Sequence, residues 1–139
     1  MNQLDVRIYQ QPDAVTCVHT ILRIAADYFG YSFSHKEILE KLGRGQNGYY
    51  LSDAAKILKK YCNLKYKTLY SVKQIELYIN NGFPVMSTDN YTYIFNHAIL
   101  LVGYDKDNFS VLDPNTGQII FKNKFFVSKY SDQNIVIYR

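Results

Sequence analysis

The sequence has no tryptophan, three prolines and two cysteines among its 139 residues. Cys17 and Cys62 can form one bridge at most, so the disulfide framework on which small secreted domains depend is excluded. The opening stretch MNQLDVRIYQQPD contains no apolar segment and no small-residue cleavage site. That argues against a signal peptide and makes the cytoplasm the expected compartment. No apolar run approaches the roughly 20 residues that span a bilayer. Neither sign of charge is concentrated. The formal net charge is +4, but the basic residues are scattered from Lys36 to Lys129 and read as solvated surface. A nucleic-acid partner would need a continuous basic stripe, and there is none. No paired-cysteine motif, metal-ligand spacing or phosphate-cradling glycine loop is present, so no metal and no cofactor are expected.

Tyrosine, in contrast, is abundant, at 14 residues. Its ring fits the half-buried surface of a sheet and points to a substantial β portion. With 47% hydrophobic and 20% charged residues, the chain has an ordinary globular composition. Its length suits a single domain spanning residues 1–139.

The periodicity changes character along the chain. Val18, Ile21, Leu22, Ala25 and Phe29 recur at helical spacing, and Gly30 follows where a left-handed cap belongs. Ser34 and Glu37 form a capping box for a helix ending at Gly43. Gly43–Tyr50 is a glycine-rich loop. Ser52 and Asp53 are candidate caps for Ala54–Tyr61. Ser71 and Gln74 form a second capping box, for a helix running to Asn81, with Gly82 and Pro84 beyond its end. From Pro84 on, short apolar runs alternate with turn chemistry. His97–Tyr104, Phe109–Leu112, Gln118–Lys122 and Asn134–Tyr138 read as strands. Asp105–Asn108 and Pro114–Gly117 read as the turns between them. Helices first and an antiparallel sheet afterwards make an α+β layout.

Cys17 opens the first helix, where unpaired N–H groups and the helix dipole favour a thiolate. A small buried core cysteine is the plain alternative. Cys62 lies near a helix C-terminus, where the dipole has the wrong sign, and is taken as structural. Of three histidines, His19 points away from Cys17 on the same helix, and His35 sits in a capping box and is expected to be exposed. His97 stands at the lip of a buried strand. Asp113 closes the next one, and a hairpin across Asp105–Asn108 folds it back towards His97. Nucleophile, base and orienting carboxylate are the three parts of an acyl-transfer site. An Asp-Pro-Asn turn explains Asp113 equally well. Gln11, upstream of the cysteine, could donate its amide to an oxyanion.

The ordered set resembles the C39 peptidase family, known as the leader-cleaving domain of bacterial bacteriocin exporters. QPDAVTC, Gln11 to Cys17, is similar to the family's glutamine, five spacers and nucleophile. CVHTILRIAADYFG is similar to its first helix, and NGFPVM to its lead into the sheet. NHAILLVGYDKDNFSVLDPNTG is similar to its histidine strand, hairpin and Asp-Pro-x-x-Gly. The resemblance implies a papain-like fold, a helical layer packed on an antiparallel sheet. It implies a cysteine peptidase with Cys17, His97 and Asp113 as triad and Gln11 at the oxyanion. The implied substrate is a peptide with small, Gly-Gly-like residues at the cleavage point, and the implied partner is a separate transporter or other protein. One position departs from the family: Val18 stands where glycine usually follows the nucleophile; its side chain narrows the channel over the thiol if it faces that channel, or turns into the core and carries no information on specificity. The same site could also serve as an acyl transferase or deamidase acting on proteins, or the cleft could be a non-catalytic peptide-binding module.

Overall fold

The computed structural model describes residues 2–43, 50–90 and 97–139. Its elements run β1 (Asn2–Gln3), α1 (Cys17–Tyr28), α2 (His35–Leu42), α3 (Leu51–Tyr61), β2 (Lys65–Thr68), α4 (Val72–Asn80), β3 (Val85–Asp89), β4 (His97–Tyr104), β5 (Asn108–Asp113), β6 (Gln118–Asn123), α5 (Lys124–Tyr130) and β7 (Asn134–Tyr138). The strands form one antiparallel sheet in the order β2-β7-β3-β4-β5-β6, with β1 added beside β4. The fold is α+β and papain-like.

The central strands β3, β4, β5 and β7 are buried on both faces. Successive strand residues point to opposite sides, so a strand covered on both favours a continuous apolar run, as AILLV within β4 is. Along β4, Ala98, Leu100 and Val102 pack against Ile21, Leu22 and Ala25 of α1, with Ile38 of α2 and Leu58 of α3 in the same core. Ile99 and Leu101 face the other way, into a second core with Ile75 and Ile79 of α4 and Val127 of α5. Each fully buried aliphatic side chain contributes about 1.5–3 kcal/mol. The helical layer expected on the sheet is formed by α1–α3, and α4 and α5 cover the opposite face.

Other differences are local. The Ser34–Glu37 capping box is complete, with both reciprocal hydrogen bonds formed. In the second box Ser71 caps Gln74, but the Gln74 side chain reaches back one residue further, to the N–H of Tyr70. Ser52 and Asp53 lie inside α3 and do not cap it. The cap residue is Tyr50, and the Leu51 N–H instead donates to Gln133 Oε1 at 3.0 Å. Gly30 has φ +91°, as the left-handed cap requires. Apart from its two end residues, the glycine-rich loop expected at Gly43–Tyr50 lies outside the described residues.

Candidate active site

Cys17 is the first residue of α1, and α1 starts without a side-chain cap. The Thr16 hydroxyl, placed to cap it, donates instead to Asp13 Oδ1 at 2.9 Å, and the first turn carries no acidic residue. The helix therefore presents bare N–H groups where the thiol sits. The N–H of Val18 is hydrogen-bonded to the Cys17 sulfur, and so is the N–H of Ala98 from β4.

His97, the first residue of β4, bonds through Nε2 to Asp113 Oδ1 at 2.7 Å, and both side chains are buried. Asp113 ends β5. The β4–β5 hairpin brings the two together, with Leu100 opposite Leu112. The same Oδ1 accepts the N–H of Asn115 at 2.9 Å, which fixes the carboxylate. With Nε2 committed to Asp113, Nδ1 is the ring nitrogen left for the thiol, and the His97 ring is hydrogen-bonded to Cys17. Burial disfavours the imidazolium, but the bonds to Asp113 and Cys17 outweigh it and push the His97 pKa up to about 9. Burial likewise disfavours the thiolate. Bonds from His97, Ala98 and Val18 overcome it, and the Cys17 thiol is held below its ordinary value. Both shifts favour the thiolate–imidazolium form of the pair over the neutral one.

The sign of this coupling can be tested without any substrate. Asp113→Asn keeps a hydrogen-bonding partner for His97 but removes the charge that stabilises the imidazolium. With less positive charge beside it, the thiol pKa rises. The inflection in the rate of Cys17 alkylation against pH is expected to move upward in Asp113→Asn. An unmoved inflection would show that Asp113 does not support the pair.

Gln11 is buried. Its Nε2 donates one hydrogen to Asp13 O at 2.6 Å, which leaves the second amide hydrogen for another acceptor. Its backbone N–H donates to Pro114 O at 2.8 Å, in the turn that follows Asp113. The structure thus gathers Cys17, His97 and Asp113 and ties Gln11 to both sides of them. It does not include the other candidates. His19 is buried, with Nε2 2.6 Å from Gly43 O. His35 is half-buried, where exposure was expected. Cys62 is buried at the C-terminal end of α3, and burial pushes its thiol pKa up. Val18 is 5% exposed and packs in the core under α1, the second of the two placements open from the sequence, so its side chain does not narrow the space over the thiol. Val18→Gly is accordingly expected to cost about 2–3 kcal/mol of stability, from the cavity left behind and the helical glycine. A melt within about 0.5 kcal/mol of wild type, the usual range of a surface change, would place Val18 outside the core.

The backbone donors of Val18 and Ala98 went unseen in the sequence, because an N–H group carries no residue signal. A cavity of about 290 Å³ between β6 and α5, lined in part by Ile99, Phe121 and Phe126, includes none of the triad residues. Among the described residues no group of three His, Cys, Asp or Glu side chains could hold a metal, and no helix is long and apolar enough to cross a membrane.

A family model described as the peptidase C39-like family matches residues 3–134. No match was found among curated proteins. The solved structures similar in fold include three peptidase domains. One is a double glycine motif protease from an AMS/PCAT transporter, in complex with the leader peptide. It is 17% identical with a TM-score of 0.78, over 99% of this chain and 92% of that one. Another is the peptidase domain of Streptococcus ComA, a bi-functional ABC transporter of a quorum-sensing pathway. It is 14% identical at TM-score 0.78, over 95% of this chain and 96% of that one. The third is a candidate C39-like peptidase from Bacillus anthracis, 17% identical at TM-score 0.76, over 100% and 98% of the two chains.

Proposed function

The chain belongs to the peptidase C39-like family, and from that premise we propose that it is a cysteine peptidase with Cys17 as nucleophile, His97 as acid and base, and Asp113 as orienting carboxylate. The observation that carries this reading is the hydrogen-bonded series Cys17–His97–Asp113, with the thiol pKa lowered and the imidazole pKa raised. The Cys17 thiolate attacks the scissile carbonyl carbon. The resulting oxyanion lies against the Cys17 N–H and the free hydrogen of Gln11 Nε2. His97 Nδ1 passes its proton to the leaving nitrogen, the C–N bond breaks and the amine departs. His97 then takes a proton from water, which attacks the thioester; the C–S bond breaks and the thiolate returns. The cycle consumes one water and draws on no cofactor.

The proposed substrate is an extended peptide with Gly-Gly before the scissile bond. The double glycine motif protease, whose structure holds a leader peptide, supports it through a shared fold. The test is a pair of peptides identical except for Gly-Gly or Leu-Leu before the bond. Cleavage of the Gly-Gly peptide at least tenfold faster is expected, which corresponds to about 1.4 kcal/mol of discrimination. Equal cleavage removes the small-residue requirement. A mass gain of about one dalton at a glutamine, without new termini, would instead show that the same acyl-enzyme chemistry is used for deamidation.

A further inference from the structure

Gln10 is exposed, yet its side chain is tied down at both ends. Its Nε2 donates to Asn115 O at 2.9 Å. Its Cβ lies so close to Gly117 that a Cβ built on the glycine would be 3.1 Å away. Gly117 also has φ +67°, a conformation that strains any other residue. The next residue, Gln11, donates its N–H to Pro114 O at 2.8 Å. Residues 10–11 are thus fastened to one turn by two hydrogen bonds and one close packing contact.

That turn is the one that holds Asp113. Within it the Asn115 N–H donates to Asp113 Oδ1 and the Gly117 N–H donates to Asp113 O, both at 2.9 Å. On the far side, Gln11 Nε2 donates to Asp13 O, and Asp13 Oδ1 accepts from the Val15 N–H and the Thr16 hydroxyl, next to Cys17. The segment carrying Gln11 has no regular secondary structure between Leu4 and Thr16. Its position relative to the thiol must come from such contacts.

We propose that the turn Asp113–Gly117 is a brace that sets Gln11 against Cys17, and that Gln10 is a positioning residue acting through Gln11. The consequence for rate rests on the peptidase reading; the bracing itself does not. The Gln10 side chain is exposed and held on Asn115 O of the turn, whereas the Gln11 side chain is buried, so Gln11 is the oxyanion donor in this reading. An exposed hydrogen bond adds little to stability, but an oxyanion donor misplaced by a fraction of an ångström loses rate. A fall in rate with an unchanged melt is therefore the signature of the brace.

The experiment is Gln10→Ala in the full chain, made alone and in a Gln11→Ala background. It reads cleavage of the Gly-Gly peptide, Cys17 alkylation against pH, and exchange of the Gln11 backbone amide proton by NMR. Alone, Gln10→Ala is expected to lower kcat by about threefold to tenfold, the scale of one hydrogen bond. KM and the melt stay near wild type, the alkylation profile does not move, and the Gln11 amide exchanges faster. In the Gln11→Ala background it lowers kcat no further. An equal loss in both backgrounds, or a Gln11 amide that exchanges at the wild-type rate, would overturn the proposal. If wild type shows no Cys17-dependent cleavage, the peptidase reading fails on its own. Amide exchange then decides the brace: faster exchange in Gln10→Ala upholds it, and unchanged exchange overturns it.

Discussion

Replacing Cys17 by alanine is expected to lower peptide cleavage by a factor on the order of 10⁴ or more, the scale seen when an activated nucleophile is removed, while Cys62→Ala stays within a few-fold of wild type. Of the two cysteines, Cys17 is the one whose surroundings favour the thiolate. It begins a helix with no side-chain cap, and its sulfur receives bonds from His97 and from two backbone N–H groups. Cys62 follows the last turn of α3, where the dipole opposes negative charge, and burial pushes its pKa the other way. Its replacement removes one buried sulfur and is expected to cost about 1–2 kcal/mol of stability. Initial rates and melting curves of both variants check this. Equal loss of activity in two folded variants would contradict the assignment of the nucleophile.

Gln11→Ala is expected to lower kcat by roughly 10² to 10³, as loss of one oxyanion donor does. The amide is buried, and one of its hydrogens is held by Asp13 O, so the other projects from a fixed group. A preorganised donor of this kind acts on the charge that develops in the transition state and leaves substrate affinity largely unchanged. KM should therefore stay near wild type. The backbone bond from Gln11 N–H to Pro114 O survives the substitution, which favours an intact fold. A rate within a few-fold of wild type would mean that backbone N–H groups alone hold the oxyanion.

The sequence made part of this site legible for physical reasons. The 3.6-residue period of α1 located Cys17 at a helix start, and turn chemistry at Asp105–Asn108 predicted the hairpin that returns Asp113 to His97. The face on which a helix packs is not written in its own period. The amphipathic pattern of α4 says that one side is buried, not which side of the sheet buries it. Strand β2, KYKT, was missed because three of its four residues are exposed and its lysines mask any alternation. Helix α5, KFFVSKY, was missed because adjacent aromatic residues suit a strand as well as a short helix. The capping of α3 was misread because its partner, Gln133, is remote in sequence, and no local pattern announces such a bond. The N–H groups at Cys17 are likewise contributed by backbone and leave no trace in residue identity.

The most direct test is to quench the reaction of wild-type chain with a Gly-Gly peptide ester in acid and to map the adduct by mass spectrometry. A thioester on the peptide carrying Cys17, absent from Cys17→Ala and from His97→Ala, is the predicted result. An adduct on Cys62, or one on Cys17 that forms equally fast without His97, would contradict a Cys17–His97 acyl-transfer site.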